Sequence, residues 1–245
     1  MYDFKSMNER VIKLLRPMQD VVAMKYIHTE EELKNYENIR WYPGSATVCQ
    51  LLSFPAYFEG LFGMKRENFS LHCGGSNGMQ TRTEDYFAGL CLGNVPNKWH
   101  GEMEDARKHM EAMRPDLPED NLVALLSAPM KSGLIEEPEV LSLSLMPSAA
   151  FFLLAGLLDK DYEPLNFPFR GESTCADTWN HTYKTGKPGL SLGCRGDRST
   201  GGLHANEVRV TMTVKDLMKA LDGMERIERD GVHYPNYPMG DVLSF

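Results

Sequence analysis

Apolar residues recur at helical or strand spacing along much of the chain, and this pattern predicts several secondary-structure elements. Four of them lie near one helical face in the first segment: Phe4, Met7, Val11 and Leu15. Residues 3–15 are therefore predicted to form an amphipathic helix. Apolar runs predict buried strands at residues 21–26 and 140–145. From residue 147 to 158 the helical pattern is apolar on every side, which predicts a buried helix.

The clearest alternation of apolar and polar side chains lies near the C-terminal end. Residues 208–214 alternate strictly, which predicts a half-buried strand with its polar side chains toward solvent. Thr213 and Asp216 are typical of a helix N-terminus, and Gly223 is predicted to end that helix. The elements together predict a mixed α/β (α+β) fold in one compact domain over residues 1–245, with a polar excursion at residues 96–120.

Two segments of the chain resemble each other. The pattern Ser-Leu-x-Cys-x-Gly occurs at residues 70–75 and 191–196, and a second cysteine precedes each copy. A predicted strand also lies upstream of each copy. We therefore expect two related strand–helix–strand halves, residues 1–126 and 127–245, related by a pseudo-two-fold duplication. Chance agreement of a short pattern is the alternative.

Charge and apolar content limit the classes of function. The formal net charge of −8 argues against a general nucleic-acid binder, which would carry a basic face. The N-terminal residues lack the apolar segment of a signal peptide, and the longest apolar stretch is interrupted by serine and proline. We therefore expect a cytoplasmic protein without a membrane partner. A monomer and a homo-oligomer both stay open.

Five cysteines are the main candidates for chemistry, and none of them forms a CxxC pair. Structural disulfides are not expected in the cytoplasm, so the simplest interpretation is a set of buried thiols. The two similar segments suggest instead that Cys49, Cys73, Cys175 and Cys194 converge as metal ligands. Cys91 has no counterpart in the second half. Four thiolates can hold an iron–sulfur cluster or a tetrahedral zinc ion.

Several charged and small residues accompany these cysteines. Arg195 and Arg198 flank Cys194 and could bind a carboxylate or phosphate group of a small anionic ligand or prosthetic group. The alternative is a solvated pair of arginines with Asp197 as a local counter-charge. Gly196 would give backbone amides access to a ligand. Two weaker candidates for cofactor contacts lie in the first half: Lys25, near a strand end, and Gly74, in a glycine-rich turn.

The chain resembles a known family at an ordered set of segments: residues 22–25, 49–50, 72–73, 139–140, Cys175 and, most specifically, Ser-Leu-Gly-Cys-Arg-Gly-Asp-Arg at residues 191–198. These segments are similar to the uncharacterised prokaryotic family called domain of unknown function 169. The resemblance extends from about residue 21 to residue 221. It implies an anaerobe-type setting and directs attention to the same four cysteines, but it implies no reaction.

Three functions follow as hypotheses. The first is a cysteine-ligated metal, iron–sulfur or prosthetic-group protein of anaerobic redox metabolism, with a metal-tetrapyrrole, zinc or no cofactor as alternatives. The second is a thiol-dependent enzyme that uses Cys194 or Cys73 as its nucleophile. The third is a non-catalytic small-molecule binding or assembly module whose cysteines are structural.

Overall fold

The computed structural model describes residues 2–70, 102–113, 122–161, 163–169 and 173–232, with backbone alone for residues 109–113. Cys73, Gly74 and Cys91 therefore lie outside the described residues, as does most of the polar stretch at residues 96–120.

Seven strands in the described ranges form one mixed sheet: β1 (Val22–Ile27), β2 (Arg40–Trp41), β3 (Phe62–Lys65), β4 (Ala124–Pro129), β5 (Val140–Leu145), β6 (Gly189–Ser191) and β7 (Val208–Met212). Their order across the sheet is β2-β3-β4-β1-β5-β7-β6. Strands β2 and β3 are parallel, and the other neighbours are antiparallel.

Helices cover both faces of this sheet. The described helices are α1 (Phe4–Leu15), α2 (Glu30–Leu33), α3 (Val48–Ser53), α4 (Met103–Met113), α5 (Pro147–Leu157), α6 (Thr174–Asp177), α7 (Trp179–Thr185), α8 (Arg195–Thr200) and α9 (Val214–Arg229). Helices α1, α5 and α9 pack on what we call the first face, and α3, α6, α7 and α8 on the second face. No helix in these ranges combines the length and apolarity that a membrane crossing requires. The mixed α+β fold is thus confirmed.

The predicted amphipathic helix is present as α1. Asp3 caps its N-terminus, where the carboxylate accepts a hydrogen bond from the backbone N–H of Ser6 at 2.9 Å. The apolar stripe packs on the first face with Phe4, Met7 and Val11 buried. Full burial of one such side chain contributes about 1.5–3 kcal/mol, so the stripe anchors α1 to the sheet.

The prediction that Gly223 ends the last helix is wrong, because α9 continues to Arg229. A β-carbon at Gly223 would overlap the carbonyl oxygen of Gly156 in α5. The backbones of α5 and α9 therefore touch at this crossing, and glycine is required for close approach rather than for a helix end. Helix α5 is also less enclosed than predicted, since 60% of Phe151 is exposed.

The prediction of a half-buried β7 is also wrong. Every residue of β7 is buried, including the polar ones, Arg209 and Thr211. They point toward the second face, where α7 and α8 cover them, so the alternation separates an apolar layer from a buried polar layer.

Apart from the two-residue edge strand β2, the order of the strands is symmetric about the central β1–β5 pair. In each set of three, the strand that comes first in sequence lies at the centre, the next lies farthest out and the last inserts between them: β1, β3 and β4, then β5, β6 and β7. Because β1 and β5 are antiparallel neighbours, a two-fold axis normal to the sheet would exchange the two sets. The duplication itself stays a prediction.

Replacing Gly223 with alanine tests the α5–α9 crossing. Alanine has the higher helix propensity by about 1 kcal/mol, but its methyl group would meet the backbone of Gly156. We expect Gly223→Ala to lower the free energy of unfolding by more than about 2 kcal/mol in a denaturant titration. Gly196→Ala is the matched control, because its nearest neighbour would be the Cys194 sulfur at 3.8 Å. Equal stability of the two variants would contradict this account.

Candidate functional site

The second face of the sheet changes from apolar to polar along its width. Beneath α3 it presents apolar side chains such as Met24, Met64 and Leu125. Beneath α7 and α8 it presents polar side chains that are at most 3% exposed: Ser142, Ser144, Arg209 and Thr211. The helices place further buried polar or hydrogen-bonding side chains against these four: Thr174, Trp179, Asn180, Thr182 and Asp197. We call these nine residues the polar layer.

A buried ion pair lies within the polar layer. The Arg209 guanidinium donates to the two Asp197 carboxylate oxygens from Nη2 at 2.7 Å and Nε at 3.3 Å, and Nη1 donates to the Ser144 hydroxyl at 2.8 Å. Nη2 also lies 3.4 Å from the carbonyl oxygen of Gly201, and the guanidinium lies 5.8 Å from the Trp179 ring centre. Each nitrogen of the guanidinium therefore has an acceptor.

Electrostatics keep Arg209 charged in this setting. Burial alone would lower the pKa of Arg209, but the charge and hydrogen bonds of Asp197 outweigh that effect and raise the pKa above its ordinary value. The pair joins β7 to α8, so it fixes the helix that carries Asp197 over the sheet. Asp197 is thus the counter-charge of Arg209 rather than of the neighbouring arginines.

Arg195 and Arg198, the two arginines near Cys194, have different surroundings. Arg198 donates to the backbone carbonyls of Leu192, His204 and Glu207, the latter two at 2.7 and 3.1 Å. Its donors thus stabilise the loops on both sides of α8. Arg195 is exposed.

Two glycines near Cys194 differ in what they permit. Gly193 has a φ of +85°, and a β-carbon there would overlap the side chain of Leu203. This turn therefore requires glycine. At Gly196 the space around a β-carbon is open apart from the sulfur of Cys194, so close packing does not require glycine there.

Three of the predicted cysteine ligands lie near the polar layer. The backbone N–H of Cys194 donates to the Thr174 hydroxyl at 2.7 Å, and Cys175 is the next residue of α6. Cys49 is buried in α3, where the Thr47 hydroxyl lies 3.0 Å from its sulfur. It packs against Gly201, at the opposite end of α8 from Cys194: a β-carbon at Gly201 would lie 2.6 Å from that of Cys49.

This arrangement does not assemble a metal centre from the described residues alone. No three His, Cys, Asp or Glu side chains within them are placed to hold a metal ion. Two thiolates on one zinc ion lie about 4 Å apart, given Zn–S bonds of about 2.3 Å. Cys49 and Cys194 instead lie at the two ends of α8, a helix of six residues that is about 9 Å long. We therefore derive no metal chemistry from these three thiols.

Lys25 lies on the other side of the sheet from these cysteines. It alternates with Met24 and Tyr26, which point to the second face, so its side chain leaves β1 on the first face. Its ammonium group lies 3.4 Å from Glu139 and 3.8 Å from Glu32. Lys25 and the cysteines therefore do not form one site.

Tyr26 extends the polar layer toward β1. Its hydroxyl donates to the Asn180 side-chain oxygen at 2.8 Å, and its ring stacks on Tyr183 with centres 4.0 Å apart. The Tyr183 hydroxyl lies 2.7 Å from Nε2 of His28. Burial raises the pKa of Tyr26 well above its usual value, and the charges of Glu139 and Cys175 raise it further. Tyr26 therefore stays a neutral hydrogen-bond donor.

Three buried donors of the polar layer have no hydrogen-bond partner in the part of the chain that the structure describes: the Ser142 hydroxyl, the Trp179 indole N–H and the Asn180 side-chain NH₂. Each is at most 1% exposed. Leaving a buried donor unpaired costs about 1–3 kcal/mol, so these three atoms mark the place in the layer where an acceptor is most needed.

Sequence reasoning selected the segment of Asp197 but missed Arg209, Trp179 and Asn180. The arginine between Val208 and Val210 carried a usable signal, because a charge in an otherwise apolar strand needs a buried partner if both faces are covered. Trp179 and Asn180 carried none, since only the sheet beneath α7 makes their burial evident.

The fold and the polar layer define a mixed α+β protein in which one part of the second face of the sheet is buried and polar. The chain matches the model of the family DUF169, described as an uncharacterised ArCR family, over residues 10–223. That match covers most of the chain, and the protein belongs to this family. No curated protein matches the chain. No solved structure matches it either.

Removing one charge of the buried ion pair tests its importance for stability. Asp197→Asn removes the hydrogen-bonded counter-charge of the buried Arg209, and we expect the free energy of unfolding to fall by about 3–5 kcal/mol. Asp161→Asn is the control, because Asp161 forms an exposed pair with Lys219 that contributes at most about 1 kcal/mol. The double variant Asp197→Leu with Arg209→Met should lose less than the single variant in the same denaturant titration. A double variant less stable than Asp197→Asn would contradict the argument.

Proposed function

We propose that the protein binds a small molecule or prosthetic group between α7 and the sheet, within the polar layer. The observation that carries the proposal is a set of three buried donors, on Ser142, Trp179 and Asn180, that have no hydrogen-bond partner among the described residues. They provide O–H and N–H groups, so the ligand would offer hydrogen-bond acceptors. Ordered water is the competing partner for such atoms.

The three donors belong to one layer. Ser142 pairs in register with Val22 of β1 and Thr211 of β7. Asn180 is tied to β1 through Tyr26, and Trp179 lies over Arg209 of β7. The donors therefore face the three central strands that lie under α7, and one ligand could accept from more than one of them.

The charges of the layer indicate what kind of ligand fits. Arg209 is compensated by Asp197, and its guanidinium nitrogens are already engaged. Arg198 is engaged by loop carbonyls. The donors without partners are neutral, which favours an uncharged acceptor such as a carbonyl or ring nitrogen over a fully charged anion. The aromatic side chains of Trp179 and Tyr26 favour a flat group.

A cysteine-ligated metal or iron–sulfur cluster is a second candidate. Cys175 and Cys194 both neighbour Thr174 on the border of the polar layer: Cys175 follows it in α6, and the backbone N–H of Cys194 donates to its hydroxyl. A complete ligand set would need Cys73 or another group beyond the described residues, since these residues hold no three-ligand group. The metal-tetrapyrrole and zinc alternatives depend on the same thiols.

The thiol-enzyme alternative has less support. Of the two proposed nucleophiles, Cys73 lies outside the described residues, and the described hydrogen bond of Cys194 is from its backbone N–H to the Thr174 hydroxyl, which provides no general base for the sulfur. A hydroxyl does not act as a general base toward a thiol at neutral pH, whereas a nucleophilic cysteine needs a base or a lowered pKa.

Analysis of the protein purified without oxygen tests the proposal. We expect mass spectrometry of a denatured extract to find one organic small molecule at a level comparable to the protein. Stoichiometric iron and sulfide with broad visible absorption would instead establish the second candidate. Both candidates would be contradicted by a preparation that holds neither a small molecule nor a metal and whose melting temperature does not rise when a metabolite extract of cells is added.

Two serines of β5 provide a matched pair of variants. Ser142→Ala removes an unpartnered hydroxyl, so the ligand-free protein should be as stable as before or more stable, while ligand occupancy falls. Ser144→Ala removes the acceptor of Arg209, and should lower the free energy of unfolding by about 1–3 kcal/mol. Trp179→Phe removes the indole N–H and should likewise lower ligand occupancy. Unchanged occupancy in both Ser142→Ala and Trp179→Phe would overturn the proposed site.

A further inference from the structure

A second candidate site lies on the first face of the sheet, on the opposite side of the molecule from the polar layer. Helix α9 and the turn that follows α5 enclose an open cleft of about 550 Å³. Small-molecule sites have volumes of about 300–1,000 Å³. Five of the side chains that line this cleft are cationic: Lys160, Lys215, Lys219, Arg226 and Arg229.

The amphipathic sequence of α9 produces this concentration of positive charge. Apolar residues of the helix, such as Leu217, Ala220 and Leu221, are buried against the sheet and α5. Lys219, Arg226 and Arg229 follow Lys215 by 4, 11 and 14 residues, so the four cations share a side of the helix away from that core. The cleft is therefore a local positive region in a chain whose net charge is −8.

The carboxylates of the cleft are already engaged by cations. Asp159 accepts from Arg226 at 2.5 and 2.7 Å, and Asp222 accepts from Arg10 at 2.6 Å. Asp161, beside the cleft, accepts from Lys219 at 3.0 Å. These pairs occupy Lys219 and Arg226 as well.

Three cations of the cleft are left without a carboxylate partner among the described residues: Lys160, Lys215 and Arg229. Their charges are therefore available to an anionic ligand. Lys215 and Arg229 are fourteen residues apart, or about 21 Å along the helix axis. An anion that contacts both Lys215 and Arg229 must therefore be extended.

The backbone at Lys160 fixes the position of this residue at the edge of the cleft. Its φ of +61° is in the left-handed region, which residues other than glycine adopt rarely and at a cost. The neighbouring residues hold it there, because Asp159 pairs with Arg226 and Asp161 pairs with Lys219 of α9. Lys160 is thus fixed between two ion pairs at the edge of the cleft.

From this geometry we infer that the cleft binds a phosphorylated small molecule, with its phosphate oxygens held by Lys160, Lys215 and Arg229. The separation of the three cations favours an elongated ligand with several phosphate groups over a single inorganic phosphate. The acidic character of the rest of the chain opposes binding of a long nucleic acid, which would extend beyond the cleft.

Titration calorimetry at low ionic strength tests the inference, with ATP and inorganic tripolyphosphate as separate probes and citrate as a carboxylate probe. We expect at least one phosphate probe to bind more tightly than citrate, and its affinity to fall as salt is added. Each of Lys160→Gln, Lys215→Gln and Arg229→Gln should weaken binding roughly fivefold, as expected for loss of one solvent-accessible charge contact. If ATP binds and tripolyphosphate does not, the nucleoside is part of what the cleft recognises.

A double variant, Lys184→Gln with Lys187→Gln, is the matched control. Both lysines are exposed and lie at or after the end of α7, on the second face. The control should keep wild-type affinity, and all variants should keep the wild-type melting temperature. The inference would be overturned if neither phosphate probe binds at millimolar concentration, or if citrate binds more tightly than both. It would also be overturned if the control variant loses as much affinity as the three single variants. None of these results depends on the ligand of the polar layer.

Discussion

Burial of the Arg209–Asp197 pair sets the conditions under which the second half of this molecule can fold. A guanidinium inside a sheet is tolerated only when a carboxylate and further acceptors surround it, and here α8, β5 and the Trp179 ring provide them. Helix α8 has six residues and would not be stable alone. Its position over the sheet depends on this pair and on the close contact of Gly201 with Cys49.

The two halves of the sheet achieve burial by different means. On the second face, the first half packs apolar side chains of α3 against β3 and β4, and its stability follows from area removed from water. The second half places hydroxyls, an amide and an ion pair in the same position. Such an interior is specific in shape only if its polar groups are satisfied, and among the described residues the donors of Ser142, Trp179 and Asn180 are not.

The elements that depend on local patterns were predictable from the sequence. The stripe of α1 and the strands at β1 and β5 follow from periodicity, and the structure confirms them. Errors arose where tertiary contacts override a local signal. Gly223 looked like a helix end but serves a helix crossing, and β7 looked half-exposed because alternation alone does not show that α7 and α8 cover its polar side. The four-cysteine hypothesis stays a prediction, and the structure places Cys49, Cys175 and Cys194 on the second face of the sheet. Periodicity could not show that two of them lie at opposite ends of one short helix.

The short strands at the two margins of the sheet have a consequence for how copies of this chain could associate. The outermost strands in the described structure are β2, with two residues, and β6, with three. An edge this short offers few free backbone groups to a strand from another molecule, and natural proteins use such edges against aggregation. Any self-association is therefore expected to proceed through helix surfaces and not by extension of the sheet, so a concentrated solution of the folded protein should resist conversion into β-linked fibres.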